Sequence, residues 1–190
     1  MKKSASLFIL SAFLTLASFA QSIQEGLGHL YAERNVSART IFEKMVASNP
    51  NNMEAVYWLG QAHLANDNLA AARQVYEKAL ASNGNAPLIL VGMGHVGLAE
   101  GKSAEARQRF ETAISLSKGK KGNDPNVLNA IGRANVEVKG GDAAYAIAKL
   151  QEAHQLAPAN PDVMINLGNA YPQAKDGATP LQHYIKASQP

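Results

Sequence analysis

The sequence predicts an all-α protein, an α-α superhelix (solenoid) of about five helix-turn-helix hairpins after an N-terminal signal segment. Three observations carry that prediction. Gly26, Gly60 and Gly94 stand 34 residues apart, and Gly132 and Gly168 continue the series 38 and 36 residues later. Ala38, Ala72 and Ala106 keep the spacing of 34, as do Phe42, Tyr76 and Phe110. Clusters of Gly, Pro, Asn and Asp then separate the periodic stretches where a hairpin repeat needs turns.

The leader stands apart from this lattice. Met1-Lys2-Lys3 is a short positive stretch, Leu7 to Leu16 is apolar apart from Ser11 and Thr15, and Ser18-Phe19-Ala20 offers small residues where a signal peptidase reads. A signal peptide over 1–20 is therefore expected, cleaved after Ala20. The apolar run falls short of the roughly 20 residues of a membrane span, so no transmembrane span is expected in the mature chain; an uncleaved anchor or a buried first helix is the other reading. Export would deliver the chain from Gln21 onward to a periplasmic, envelope-associated or extracellular location. The short leader suggests a bacterial envelope.

Composition narrows the function classes. With no cysteine, a disulfide scaffold, a thiolate metal site, a cysteine nucleophile and a lipidated cysteine are all excluded. The formal net charge of +3 includes Lys2 and Lys3; without them 16 basic residues face 15 acidic ones. Nucleic acid is thus not an expected partner. An apolar content of 46% is that of a folded chain.

The region 21–190 divides into approximate units 21–52, 53–86, 87–124, 125–160 and 161–190. The first helix of a unit carries an apolar residue, two spacers, an aliphatic residue and glycine: Val56-x-x-Leu59-Gly60, Leu90-x-x-Met93-Gly94, Leu128-x-x-Ile131-Gly132 and Met164-x-x-Leu167-Gly168. That spacing puts the apolar side chains on one helical face. Glycine costs about 1 kcal/mol inside a helix, so its recurrence implies close approach of a second helix. The second helix repeats alanine, a bulky residue four later and a small residue three beyond. Ala72-Tyr76-Ala79 and Ala106-Phe110-Ala113 are the clearest cases, with Ala146-Leu150-Ala153 an aliphatic variant. Turn signals within units are Asn66-Asp67-Asn68, Glu100-Gly101-Lys102 and Lys139-Gly140-Gly141-Asp142; between units they are Asn49-Pro50-Asn51-Asn52, Asn83-Gly84-Asn85, Asp124-Pro125 and Pro158-Ala159-Asn160-Pro161. Two breaks in period have local causes: the loop Lys118-Gly119-Lys120-Lys121-Gly122-Asn123, about four residues long for its place, and the Gly140-Gly141 turn, about two residues long.

This pattern resembles the tetratricopeptide repeat (TPR) family over nearly all of the region after the leader. The resemblance is strongest in units two and three. It weakens where Glu25 precedes Gly26, where Pro172 follows Tyr171, and where Pro180 takes the usual alanine slot. It implies a concave groove lined by the first helices and a non-enzymatic role in binding a protein or peptide. Counting from each signature glycine, the groove residues are Tyr57, Gln61 and Leu64 in unit two, Leu88, Val91, His95 and Leu98 in unit three, Asn129 and Arg133 in unit four, and Ile165 and Asn169 in unit five. Asn129, Arg133 and Asn169 suit a peptide backbone or a carboxylate. Replacing Arg133 and Asn169 together should weaken partner binding without lowering the melting temperature.

No enzyme chemistry is expected: catalytic, cofactor-binding and metal-binding residues are all none. Leu88-Ile89-Leu90-Val91 followed by Gly92-x-Gly94-x-x-Gly97 mimics a strand feeding a dinucleotide-binding turn. A nucleotide-binding enzyme using Gly92 to Gly97 is therefore the remote alternative, although Gly94 belongs to the repeat lattice. Gly101-Lys102-Ser103 resembles a P-loop but has Val96 where the first glycine is required. His29 and His63 occupy equivalent places, where a packing role fits better than a metal pair. Lys118, Lys120 and Lys121 read as a solvated insertion. Beyond the signature, Leu181, Tyr184 and Ile185 would lack a covering helix. They predict self-association through the C-terminal hairpin, a scaffold assembling through its ends, or the leading portion of a longer TPR protein.

Overall fold

The computed structural model describes residues 22–120 and 122–174. The leader 1–20, Lys121 and the end-hairpin residues Pro180, Leu181, Tyr184 and Ile185 lie outside the described residues. The described chain is all-helical apart from turns and an isolated bridge between Gly119 and Gly122. It forms two bodies, one up to Ala79 and one from Leu80 onward.

The first body holds α1 (22–31), α2 (Asn35–Ser48), α3 (Met53–Leu64) and most of α4 (Leu69–Ser82). Its second helices bury Ala38, Phe42 and Met45 in α2 and the expected stripe Ala72-Tyr76-Ala79 in α4. α2 packs on α3, with the Phe42 and Trp58 rings stacked at 6.4 Å between centroids. The second body holds α5 (Pro87–Ala99), α6 (Ser103–Ser117), α7 (Pro125–Glu137), α8 (Ala143–Leu156), α9 (Pro161–Ala170) and a 3-10 turn at Tyr171–Gln173. Here α5 pairs with α6 and α7 with α8, while α5, α7 and α9 pack successively on one another. Ala106-Phe110-Ala113 and Ala146-Leu150-Ala153 are fully buried.

The recurring glycines have a specific cause. A Cβ on Gly26 would lie within the Phe42 ring, one on Gly60 within Tyr76, one on Gly94 within Phe110, and one on Gly132 against Leu150. The sequence pointed to close backbone approach; what occupies the space is the bulky side chain of the second helix, laid flat over the glycine. Glycine and bulky residue are thus one packing unit, which explains why they share a period. At Gly168 no such residue lies opposite among the described residues.

The turns within units repeat as faithfully. Glu33, Asp67 and Gly101 all have positive φ, at 56°, 56° and 76°, and they are 34 residues apart. Each follows a Schellman closure in which the next amide reaches back to a carbonyl five residues earlier: Arg34 to His29 at 2.8 Å, Asn68 to His63 at 2.9 Å and Lys102 to Gly97 at 2.8 Å. Only Gly101 is the residue that conformation favours. Glu33→Gly should therefore stabilise the first body by about 1 kcal/mol, and Gly101→Ala should destabilise the second by a similar amount. Urea unfolding of both variants checks the pair of signs.

Helix starts are set by side-chain caps. Asn52, Asn68, Asp124, Asp142 and Asn160 accept from backbone amides two or three residues on, at 2.8–3.1 Å. The long loop after α6 folds back through reciprocal Gly119–Gly122 hydrogen bonds of 2.9 and 3.2 Å. Among the described residues, no helix is long and apolar enough to cross a membrane.

Candidate partner-binding face

Eight of the eleven residues proposed from sequence occupy two registers on the first helices; Leu64 and Leu98 lie four after the signature glycine and Leu88 six before it. Tyr57, Val91, Asn129 and Ile165 lie three before the signature glycine; Gln61, His95, Arg133 and Asn169 lie one after it. In the second body, the structure shows what this stripe meets. The first helix of the following unit packs on it, α7 on α5 and α9 on α7. Val91, His95, Leu98, Asn129 and Arg133 are accordingly buried, none more than 8% exposed. Leu88 is partly buried, while Ile165 is 43% exposed and Asn169 is exposed. In the first body Tyr57 and Gln61 are buried and Leu64 is partly so. Gln61 donates to the Tyr76 hydroxyl at 3.0 Å, and that hydroxyl donates to the Tyr57 carbonyl at 2.9 Å.

Between α7 and α9 the buried polar groups form a network. Asp162 is placed by the start of α9: Asn160 caps the helix, Pro161 opens it, and the Asn160 side chain accepts from the Asp162 amide at 3.0 Å. The Asp162 carboxylate then receives the Arg133 guanidinium on one oxygen and the Asn129 amide on the other. Asn166 donates to the Asn129 oxygen at 2.9 Å. Asn129 and Arg133 do bind a carboxylate, but it is the protein's own. Sequence reasoning missed Asp162 and Asn166. The available signal was register: Asp162 lies six before Gly168, in the slot that Leu88 fills before Gly94, and at Asp162 that slot faces α7.

The expectation that Arg133 can be removed without thermal cost is corrected by this network. Arg133 is 5% exposed and ion-paired across two helices, so its loss acts on stability first. Burial pushes the Asp162 carboxyl up to about 7, and the contact with Arg133 works in the opposite direction.

His95 sits beside this network on α5, with Nε2 3.9 Å from the Glu137 carboxylate. Burial, reinforced by the Arg133 charge, lowers its pKa to about 4. The imidazole is therefore neutral at neutral pH. Because the folded-state value lies below the unfolded one, its contribution to stability is complete above about pH 6.5 and is lost as pH falls toward 4. The stability difference between wild type and His95→Leu should shift by about 3 kcal/mol against wild type from pH 7 to pH 4. Denaturant titrations of both proteins across that range measure it, and a constant difference would refute it.

The nucleotide-like stretch is helical. Leu88–Val91 lies in α5, and Gly92, Gly94 and Gly97 are buried within the same helix, so the strand and turn that a dinucleotide fingerprint requires are not formed here. Among the described residues no group of three or more His, Asp or Glu side chains is arranged to hold a metal ion.

Residues 23–87 match the family model described as tetratricopeptide repeat. No curated protein matches the sequence. Among solved structures, PilF of Pseudomonas aeruginosa is similar at 21% identity and a TM-score of 0.49, over 88% of this chain and 71% of that one. The TPR protein TTC0263 of Thermus thermophilus is similar at 18% identity and a TM-score of 0.43, over 80% of this chain and 97% of that one.

Proposed function

We propose that this chain, which carries tetratricopeptide repeats and hence a protein-interaction fold, is a non-enzymatic binding module of the cell envelope. Its partner is a protein or peptide segment lying against the first helices, in contact with the accessible members of the stripe. One observation carries the reading. The stripe of α5 is covered by α7 and that of α7 by α9, whereas on α9 Ile165 and Asn169 are exposed, with Met164 beside them at 37%. A surface that elsewhere in the same molecule accepts a helix is thus presented to solvent, with an aliphatic residue and an amide four apart on one helical side.

The test is affinity capture from an envelope fraction with wild type and an Ile165→Asp/Asn169→Asp variant, with the melting temperature of each measured. The captured partner should be lost from the variant while the melting temperature stays within about 2 °C, since neither side chain is buried. Retention of the same partner by the variant would refute the proposed surface. A second reading, a scaffold assembling through its ends, is favoured by the same exposed face. Light scattering separates the two, because a scaffold shows a concentration-dependent mass that the double variant abolishes.

A further inference from the structure

Three of the turns between units share one geometry. After α2, the Asn52 amide donates to the Asn49 carbonyl at 3.1 Å, and the Asn51 amide donates to the Asn49 side-chain oxygen at 3.2 Å. At the equivalent place after α4, 34 residues on, the Ala86 amide donates to the Asn83 carbonyl at 3.3 Å. There the Asn85 amide donates to the Asn83 side-chain oxygen at 3.3 Å. After α8 the turn closes from the Asn160 amide to the Ala157 carbonyl at 3.1 Å. The second residue of these turns is Pro50, Gly84 and Pro158 in order. Proline suits that place because its fixed φ matches the turn. Neither conformation nor packing calls for glycine at the middle one. Gly84 keeps its φ out of the positive range, and a Cβ on it would come no nearer than 3.7 Å to the Leu80 carbonyl oxygen. What Gly84 has, and Pro50 and Pro158 lack, is a main-chain N–H.

That N–H follows an asparagine directly, in a turn where Asn83, Gly84 and Asn85 are all exposed to water. The bond from the Asn85 amide polarises the Asn83 side-chain carbonyl, and glycine has no side chain to hinder ring closure upon it. Hydroxide removes the Gly84 amide proton, the nitrogen bonds to Cγ of Asn83, and the side-chain nitrogen leaves as ammonia. The product is a cyclic succinimide. Water then breaks one of the two bonds from the Gly84 nitrogen to the ring carbonyls. Breaking the bond to Cγ restores the main chain and leaves aspartate. Breaking the bond to the main-chain carbonyl leaves isoaspartate, whose main chain runs through Cβ and Cγ. The sum is amide plus water giving carboxylate plus ammonium, with nothing oxidised or reduced. Asn49, in the same turn, is barred from this route because Pro50 carries no amide proton.

We infer that Asn83 is a self-modification site, at which the folded chain converts its own asparagine to aspartate and isoaspartate through the Gly84 amide nitrogen. The change acts as a mark of age on the turn. Either product sets a negative charge just past Ser82, the last residue of α4, where the helix dipole disfavours it. Isoaspartate also lengthens the connection into α5. The site is independent of the groove reading, since neither Asn83 nor Gly84 lies on α9. The test incubates the chain in mildly alkaline buffer, folded and in urea, and follows the Asn83 peptide by mass spectrometry after digestion at acid pH. An isoaspartyl methyltransferase counts the isoaspartate. In the folded chain Asn83 should gain the mass of amide-to-acid exchange, with isoaspartate and ammonia appearing together, while the other asparagines keep their amides. Gly84→Pro, which copies Asn49-Pro50, should abolish the conversion with the helical signal retained. Asn83→Gln, whose longer side chain would have to close a larger ring, should abolish it as well. An Asn83 that keeps its amide in the folded chain, conversion confined to urea, equal conversion at the other asparagines, or undiminished conversion in Gly84→Pro would each overturn the inference.

Discussion

Gly94→Ala is expected to destabilise the second body by about 2 kcal/mol, although the same substitution in an open helix stabilises. Alanine is favoured over glycine by about 1 kcal/mol in a helix interior, and overpacking a buried site costs about 1–3 kcal/mol or more. At Gly94 the second effect wins, because the new methyl would sit within the Phe110 ring and that ring, 1% exposed, has nowhere to turn. Gly28 supplies the contrast. It lies in α1, it is exposed, and nothing approaches its would-be Cβ within 4 Å, so Gly28→Ala should stabilise by about 1 kcal/mol. A double variant isolates the cause. Once Phe110→Ala has opened the site, adding Gly94→Ala should cost nothing further, so the two changes must be strongly non-additive. Additive losses in urea unfolding would mean that the ring does not set the requirement for glycine.

The second large effect is expected at the carboxylate between α7 and α9. Asp162→Ala breaks a buried ion pair whose guanidinium is 5% exposed, and breaking such a pair costs about 3–5 kcal/mol. Replacing both members, as Arg133→Met/Asp162→Leu, should return stability to within about 1 kcal/mol of wild type, because the pair is nearly neutral against a well-packed apolar substitute. Asn129 and Asn166 would keep their mutual bond. If Asp162→Ala melts like wild type, the network contributes nothing and Arg133 returns to the set of residues available to a partner. This outcome bears directly on function, since it decides whether Arg133 variants report on binding or only on folding.

The two results mark where reading the sequence succeeds. A requirement for glycine under a bulky residue is local to one hairpin, so it leaves a trace at a constant separation: Gly26 with Phe42, Gly60 with Tyr76, Gly94 with Phe110. The turn geometry is equally local, and Glu33, Asp67 and Gly101 keep the same interval. Buried stripes such as Ala106-Phe110-Ala113 follow from helical spacing alone. The face containing Asn129 and Arg133 was also legible as a face. What covers it was not, because the covering residues Asp162 and Asn166 come from another hairpin, about 30 to 40 positions on, and polar side chains carry no periodic mark of burial. A guanidinium on a first helix reads the same whether it awaits a partner's carboxylate or holds the chain's own.

The amino-acid sequence by itself therefore determined the helical hairpins, the glycine lattice and the two places where the period slips. Each depends on contacts inside a single hairpin, such as Gly94 with Phe110, and such contacts recur with the repeat. Only the tertiary structure decided that successive first helices bury most of the stripe and that α9 leaves it exposed at Ile165 and Asn169. Those outcomes depend on which hairpin lies against which face, and packing between units is fixed by shape and charge across the contact rather than by any spacing along the chain.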